Sequence, residues 1–170
     1  MTETKTLREV LLVEDHPNDI ELTLEALSAN HMANPVVVVE DGAQALDYLF
    51  YRGKYVSRSP GMPILILLDL KLPKVSGLEV LAALKADPVL SLVPVVMLTA
   101  SKEEFDVVRS YQLGVNAYVV KPLVFDAFQQ AVRQIGGFWG IVNEPPPHIV
   151  AERLSNLQAP LSDWPDGGQG

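Results

Sequence analysis

The sequence predicts an α/β fold, a doubly wound parallel sheet, and two observations carry that reading. Short apolar runs at Val10–Val13 and at residues 64–68, 95–98 and 118–120 are too brief for helices and are bounded by charged or turn-forming residues, as buried strands are. Amphipathic helical stretches separate them, and strands alternating with helices build βαβ units around a parallel sheet.

Taken in order, the first strand is Val10–Val13. Pro17 suits a first helical turn, and Ile20, Leu24 and Leu27 recur at helical spacing to give helix one. Pro35 introduces a strand at Val36–Val39, and Asp41-Gly42 leads into the apolar stripe Ala45, Leu46, Leu49 and Phe50 of helix two. Residues 52–62, with basic Arg52, Lys54 and Arg58 and no apolar period, form a longer loop than most. Pro63 and Pro94 open strands three and four, where a proline forfeits no interior ladder bond. Helix three is expected over residues 78–86, helix four over 103–113, and helix five over 125–142 with the stripe Phe125, Phe128, Val132, Ile135 and Trp139.

Length and charge narrow the function. A chain of 170 residues fits one domain, expected over residues 1–144, with a Pro-rich extension over 145–170. Pro145-Pro146-Pro147 cannot continue a helix; residues 148–158 are expected to form a short amphipathic helix, and the rest to be disordered. The residues after helix five leave no room for an output domain. The absence of Cys excludes a disulfide framework and a zinc-cysteine site. No secretory signal and no membrane-length apolar run is evident, so the expected location is the cytoplasm, with no membrane partner. A net charge of −8 argues against a nucleic-acid partner, since such binding relies on Lys and Arg.

Glu14, Asp15, Asp69, Thr99 and Lys121 each stand immediately after one of the strand runs. In an open parallel sheet ligands bind outside the carboxyl ends of the strands, so these residues converge on one pocket. Three carboxylates held together repel one another unless a cation sits among them. The candidate ligands are oxygens, which favours a hard ion such as Mg2+ over zinc. His16, beside the acid pair, reads as a loop residue rather than a ligand. A metal held by few protein oxygens keeps positions for water and a phosphate oxygen, and phosphoryl transfer is the natural use. In this reading Asp69 is the nucleophile. Asp15 and Asp69 bind the metal directly, Glu14 acts mainly through water, and the Lys71 carbonyl supplies a further ligand. Lys121 balances charge, and Thr99 hydrogen-bonds the attached phosphoryl group.

These residues closely resemble the receiver domain of two-component response regulators. The resemblance runs over about residues 10–141 and includes Asp41-Gly42, the segment from Pro73 to the glycine at 77, Ala117-Tyr118 and Lys121-Pro122. It implies a flavodoxin-like (βα)5 sheet of strand order 2-1-3-4-5. It also implies a Mg2+-dependent phosphoacceptor, not an enzyme in its own right, whose partner is a sensor histidine kinase. It implies a cis Lys121-Pro122 bond, the alternative being a trans proline starting helix five. It further implies a switch in which phosphorylation draws Thr99 to the phosphoryl group and Tyr118 fills the vacated space. Lys71 and Ser101, two positions beyond Asp69 and Thr99, flank the pocket where the family tunes acyl-phosphate lifetime. Lys71 departs from the smaller or neutral residues common there.

The Phe138-Trp139 pair, Val142, the prolines and the basic loop resemble the output-less regulators that partner bacterial and cyanobacterial phytochromes. That implies a bacteriophytochrome-type kinase and a homodimer through the helix 4, strand 5, helix 5 face and the C-terminal extension. The alternative for Trp139 is that it covers the edge of the core. Singly, each site residue has a plainer reading as a cap, a turn or a solvated head. Jointly they would need independent caps at every relevant strand end. An aspartyl phosphatase or mutase uses a second Asp two positions after the first, where Lys71 stands. A flavodoxin-type carrier needs a phosphate-cradling first loop, which Glu14-Asp15 would repel. A receiver-like scaffold or kinase-binding module that is never phosphorylated remains the serious alternative.

Overall fold

The computed structural model describes residues 7–30 and 32–146. The expectations for the segment at 148–158 and for the chain end lie outside these residues. Five strands, β1 (Val10–Val13), β2 (Val36–Val39), β3 (Leu65–Leu68), β4 (Val95–Thr99) and β5 (Ala117–Val120), alternate with five helices. These are α1 (Pro17–Ala29), α2 (Gly42–Leu49), α3 (Gly77–Ala86), α4 (Glu104–Gln112) and α5 (Phe125–Gly137). All neighbouring strands pair in parallel in the order β2-β1-β3-β4-β5, the expected topology.

The period of two along each strand divides the core into two layers. Leu11, Val13, Ile66, Leu68, Val95 and Met97 face α2 and α3, where Leu49, Leu81 and Leu84 meet them. Their neighbours Val10, Leu12, Leu65, Leu67, Val96 and Leu98 face α1 and α5, against Leu27, Phe128, Val132 and Ile135. Both faces of the central strands are covered, which is why these runs are apolar throughout rather than alternating.

Helix ends follow local chemistry. Asp41 caps α2 by accepting the Gln44 N–H at 2.7 Å. Ser76 and Glu79 form a reciprocal capping box at α3. Gly77 is required by space. A Cβ there would lie 2.2 Å from the Asp69 carbonyl oxygen, so α3 starts against the backbone of the acceptor position.

Two expectations are corrected and a third is refined. The buried face of α1 is centred on Thr23, Ala26 and Leu27, while Leu24 is only half-buried; small side chains let the helix lie close to the sheet and rotate the leucine outward. The helical path runs to Val142 as expected, but α5 proper ends at Gly137 and widens into a π-helical turn at Phe138–Val142. Gly136 sits so close to Leu27 that a Cβ would approach it within 2.9 Å, and consecutive glycines propagate a helix poorly. Finally, no cis peptide occurs among the described residues, so Lys121-Pro122 is trans. The tertiary amide makes the two isomers nearly equal in energy, and local context selects.

The loop at 52–62 carries a short 3-10 turn at Gly53–Tyr55. Arg58 is stacked against Tyr48 and Tyr51, 4.1 and 3.9 Å from their ring centroids, and its Nε donates to the Tyr48 carbonyl at 2.6 Å. At the opposite end of the sheet from the strand-end acids, Arg8 donates to the carbonyls of Met62, Pro63 and Pro146 at 3.0, 2.6 and 2.8 Å. That ties the segment after the π turn to the start of β3.

Candidate functional site

Parallel register brings the acids together. Val13 is opposite Leu68, so Glu14 and Asp69 leave adjacent strands at the same level, with the Asp69 N–H donating to the Val13 carbonyl at 3.0 Å. Thr99 is opposite Val120, and the Lys121 N–H donates to the Thr99 carbonyl at 2.7 Å. Lys121 therefore emerges one residue past Thr99 and reaches back across the crevice.

Its ammonium is the hub. Lys121 Nζ bonds to Glu14 Oε2, to Asp19 Oδ2 at 2.8 Å and to Asp69 Oδ2 at 3.5 Å. Burial alone would lower the Lys121 pKa, but the bonds to Asp19 and Glu14 and the charge of Asp69 outweigh it and raise it. Glu14 is almost wholly buried, and its other oxygen accepts the N–H groups of Asp15 and His16, each at 3.1 Å. Burial, with the Asp69 charge adding to it, raises the Glu14 pKa despite Lys121. Asp69 is buried too, and its Oδ1 accepts the Leu70 N–H at 2.7 Å.

Three carboxylates thus meet one ammonium, and Asp15 lies beside Glu14, leaving excess negative charge. Asp15 Oδ1 is buried and has no hydrogen-bond partner, a costly state for a carboxylate oxygen. Oxygens of Glu14 and Asp15 and a ring nitrogen of His16 lie within 4.8 Å of one another. An orphaned oxygen in a negatively charged crevice fits a divalent cation. His16, read from sequence as a loop residue, borders this group with a largely exposed ring.

Glu14, Asp69 and Lys121 meet directly, and Asp15 lies beside Glu14. Thr99 is buried at the end of β4, where its Oγ1 accepts the Ser101 N–H at 3.3 Å. Lys71 is exposed, two residues beyond Asp69. The Tyr118 ring packs inward against the core, and its hydroxyl donates to the Ser101 carbonyl at 3.0 Å. Desolvation raises its pKa. Trp139 packs on the core beside α5, whereas Phe138 is 49 % exposed and meets Trp139 edge to face at 5.0 Å.

Two site residues were missed in the sequence. Asp19 in the first turn of α1 is a direct partner of Lys121; the signal was Pro17, which fixes the helix start and so turns the third helical residue toward the crevice. Asp106 in the first turn of α4 is buried and accepts the Ser101 hydroxyl at 2.5 Å.

The model of the response regulator receiver domain matches residues 10–133. The chain belongs to the response regulator receiver domain family. The receiver is 42 % identical over 130 residues to the response regulator Rcp1 of Synechocystis sp., covering 76 % of this chain and 87 % of Rcp1. The Mn2+-bound form of Rcp1 aligns at TM-score 0.78 and 40 % identity, over 82 % of this chain and 99 % of that one. The phosphorylated cyanobacterial phytochrome response regulator RcpA aligns at TM-score 0.78 and 43 % identity, over 82 % and 99 %. The bacteriophytochrome response regulator RtBRR aligns at 0.67 with 57 % identity, over 83 % and 85 %. The five-stranded doubly wound fold is that of the receiver, and as a receiver the chain is a two-component signalling protein.

Proposed function

We propose that this receiver accepts a phosphoryl group on Asp69 from a sensor histidine kinase of the phytochrome type and signals through altered protein contacts. The observation that carries the reading is the Lys121 ammonium bound to Glu14, Asp19 and Asp69 beside the orphaned Asp15 oxygen. A merely structural ion pair needs one carboxylate per ammonium, whereas an excess of carboxylates suits a site that takes up cation and phosphoryl charge.

An Asp69 oxygen forms the new bond to phosphorus as the bond from phosphorus to the donor histidine nitrogen breaks, the electron pair leaving with the imidazole. Lys121 stabilises the charge on the transferring oxygens from one side. Thr99 donates its hydroxyl proton to the attached phosphoryl group. Asp15 and Asp69 directly, Glu14 through water, and the Lys71 carbonyl would hold Mg2+, whose chemistry is to neutralise the phosphoryl oxygens. The Mn2+-bound form of Rcp1 and the fit of the crevice support a divalent ion here.

The phytochrome assignment draws on the three relatives, two of which are named for phytochromes. Residues 1–144 form the signalling unit and 145–170 an extension. No helix among the described residues is long and apolar enough to cross a membrane, and the proposed setting is the cytoplasm, without nucleic acid. Transfer from a phytochrome-type kinase, faster than from unrelated kinases and abolished by Asp69→Asn, is the test. Preference for an unrelated kinase would defeat the phytochrome assignment, and no uptake from any donor would favour the scaffold reading.

The output surface is proposed to be the α4–β5–α5 face, where Leu123 is 97 % and Phe105 71 % exposed, an apolar cost that a second copy of the chain would relieve. Phe138, 49 % exposed, is proposed to extend it, with Trp139 packed on the core behind it. The bond from Tyr118 to the Ser101 carbonyl supports Tyr118 as the element that reads Thr99. Tyr118→Ala is expected to uncouple self-association, followed by sedimentation, from phosphorylation. If the variant associates on phosphorylation as the parent does, Tyr118 has no part in the switch.

A further inference from the structure

Ser101 spends every hydrogen-bonding group it has on the site. Its N–H donates to Thr99 Oγ1 at 3.3 Å, and its carbonyl accepts the Tyr118 hydroxyl at 3.0 Å. Its own hydroxyl donates to Asp106 Oδ2 at 2.5 Å and accepts the Glu103 N–H at 3.4 Å. Asp106 is 7 % exposed, and among the described residues no cation lies within ion-pair distance of it. A carboxylate buried without a counter-charge is costly, and its place in the first turn of α4 offsets only part of that. Ser110 holds the same residue from behind, its hydroxyl donating to the Asp106 carbonyl at 2.7 Å.

The consequence falls on Thr99. A hydroxyl oxygen that accepts the Ser101 N–H must send its own proton elsewhere, and Asp69 leaves the strand next to β4. Were the Ser101 peptide free to rotate, Thr99 would lose that direction. Fixed at its hydroxyl by Asp106, the peptide cannot.

We propose that Asp106 is a positioning residue for phosphoryl transfer at Asp69, acting by anchoring Ser101 so that Thr99 presents its hydroxyl proton to the incoming phosphoryl group. This rests on Asp69 being the acceptor, as argued above. Asp106 touches neither donor nor acceptor, and the bond changes stay at Asp69: an O–P bond forms there as the donor's bond to phosphorus breaks and the electron pair leaves with the donor.

The test is the rate constant for phosphoryl uptake from acetyl phosphate with Mg2+, the departing group being acetate. Asp106→Ala is expected to slow uptake roughly three- to tenfold, the worth of one hydrogen bond. Asp106→Asn, whose amide oxygen still accepts the Ser101 hydroxyl, is expected to recover it to within about twofold. In a Thr99→Ala background, Asp106→Ala is expected to add nothing, because both changes remove the same oriented proton. Should Asp106→Ala fail to fold, the paired Ser101→Ala/Asp106→Ala removes both polar partners together and is expected to show the same slowing. Uptake at the parent rate in the alanine variants, no recovery with asparagine, or an equal further loss in the Thr99→Ala background each overturns the role of Asp106. Failure of the parent itself to take up phosphoryl on Asp69 would instead overturn the phosphoacceptor reading.

Discussion

Lys121→Ala is expected to cost about 3–5 kcal/mol of stability when no divalent cation is present. The Lys121 side chain is 9 % exposed and its ammonium contacts Glu14 and Asp69, whose side chains are 3 % and 10 % exposed, so its loss leaves two carboxylates buried without compensation. For a domain of this size that corresponds to a fall in Tm of roughly 10 °C. Mg2+ is expected to raise the Tm of the variant more than that of the parent, since the ion supplies charge the variant lacks. Lys121→Arg is expected to recover only part of the loss, because a planar guanidinium cannot approach three carboxylates as a compact ammonium does. Thermal unfolding with and without Mg2+ reads all three. A Lys121→Ala protein as stable as the parent without the ion would mean that this charge does not hold the crevice together.

Gly77→Ala is expected to damage fold and site together. The added methyl would meet the Asp69 carbonyl oxygen at 2.2 Å and the Leu70 Cα at 2.7 Å, both backbone atoms with no rotamer to yield. The Gly77 N–H also donates to the Leu70 carbonyl at 2.7 Å, so helix and strand end cannot part without losing a bond. Overpacking of this kind costs about 1–3 kcal/mol. The displacement falls on the acceptor itself, and a shift near 1 Å is worth up to about a hundredfold in rate. Thermal unfolding and phosphoryl uptake should therefore both fall. Parent-like values in both would show that the start of α3 does not set the Asp69 position.

The strands and the strand-end site were legible because they depend on short-range patterns. Val36–Val39 and the run ending at Leu68 are apolar throughout, and Pro35, Pro63 and Pro94 mark where they begin. Once the sheet is parallel, register alone brings Glu14, Asp69 and Lys121 together. What escaped depended on how helices seat. Asp19 joins the site only because α1 starts at Pro17 and carries its third residue over the crevice. Thr23 and Ala26 rather than Leu24 face the sheet because close approach favoured small side chains over the most apolar stripe. Asp106 looked like any acid in a first helical turn, and only the path of the loop after β4 places it on Ser101. The widening of the last helix after Gly136-Gly137 was hidden by the apolar run through Trp139, which reads as ordinary α-helix.

In the proposed reaction Asp69 takes up a phosphoryl group with the help of a divalent cation and Lys121. The most direct measurement incubates the protein with a phosphorylated histidine kinase and Mg2+, then maps the modified residue by mass spectrometry. The expected result is a phosphoryl group on Asp69 that is removed by hydroxylamine, as an acyl phosphate must be, and that is absent when the ion is chelated or Asp69 is replaced by asparagine. Label that persists in Asp69→Asn, or a parent protein that stays unmodified beside a competent donor, would contradict it.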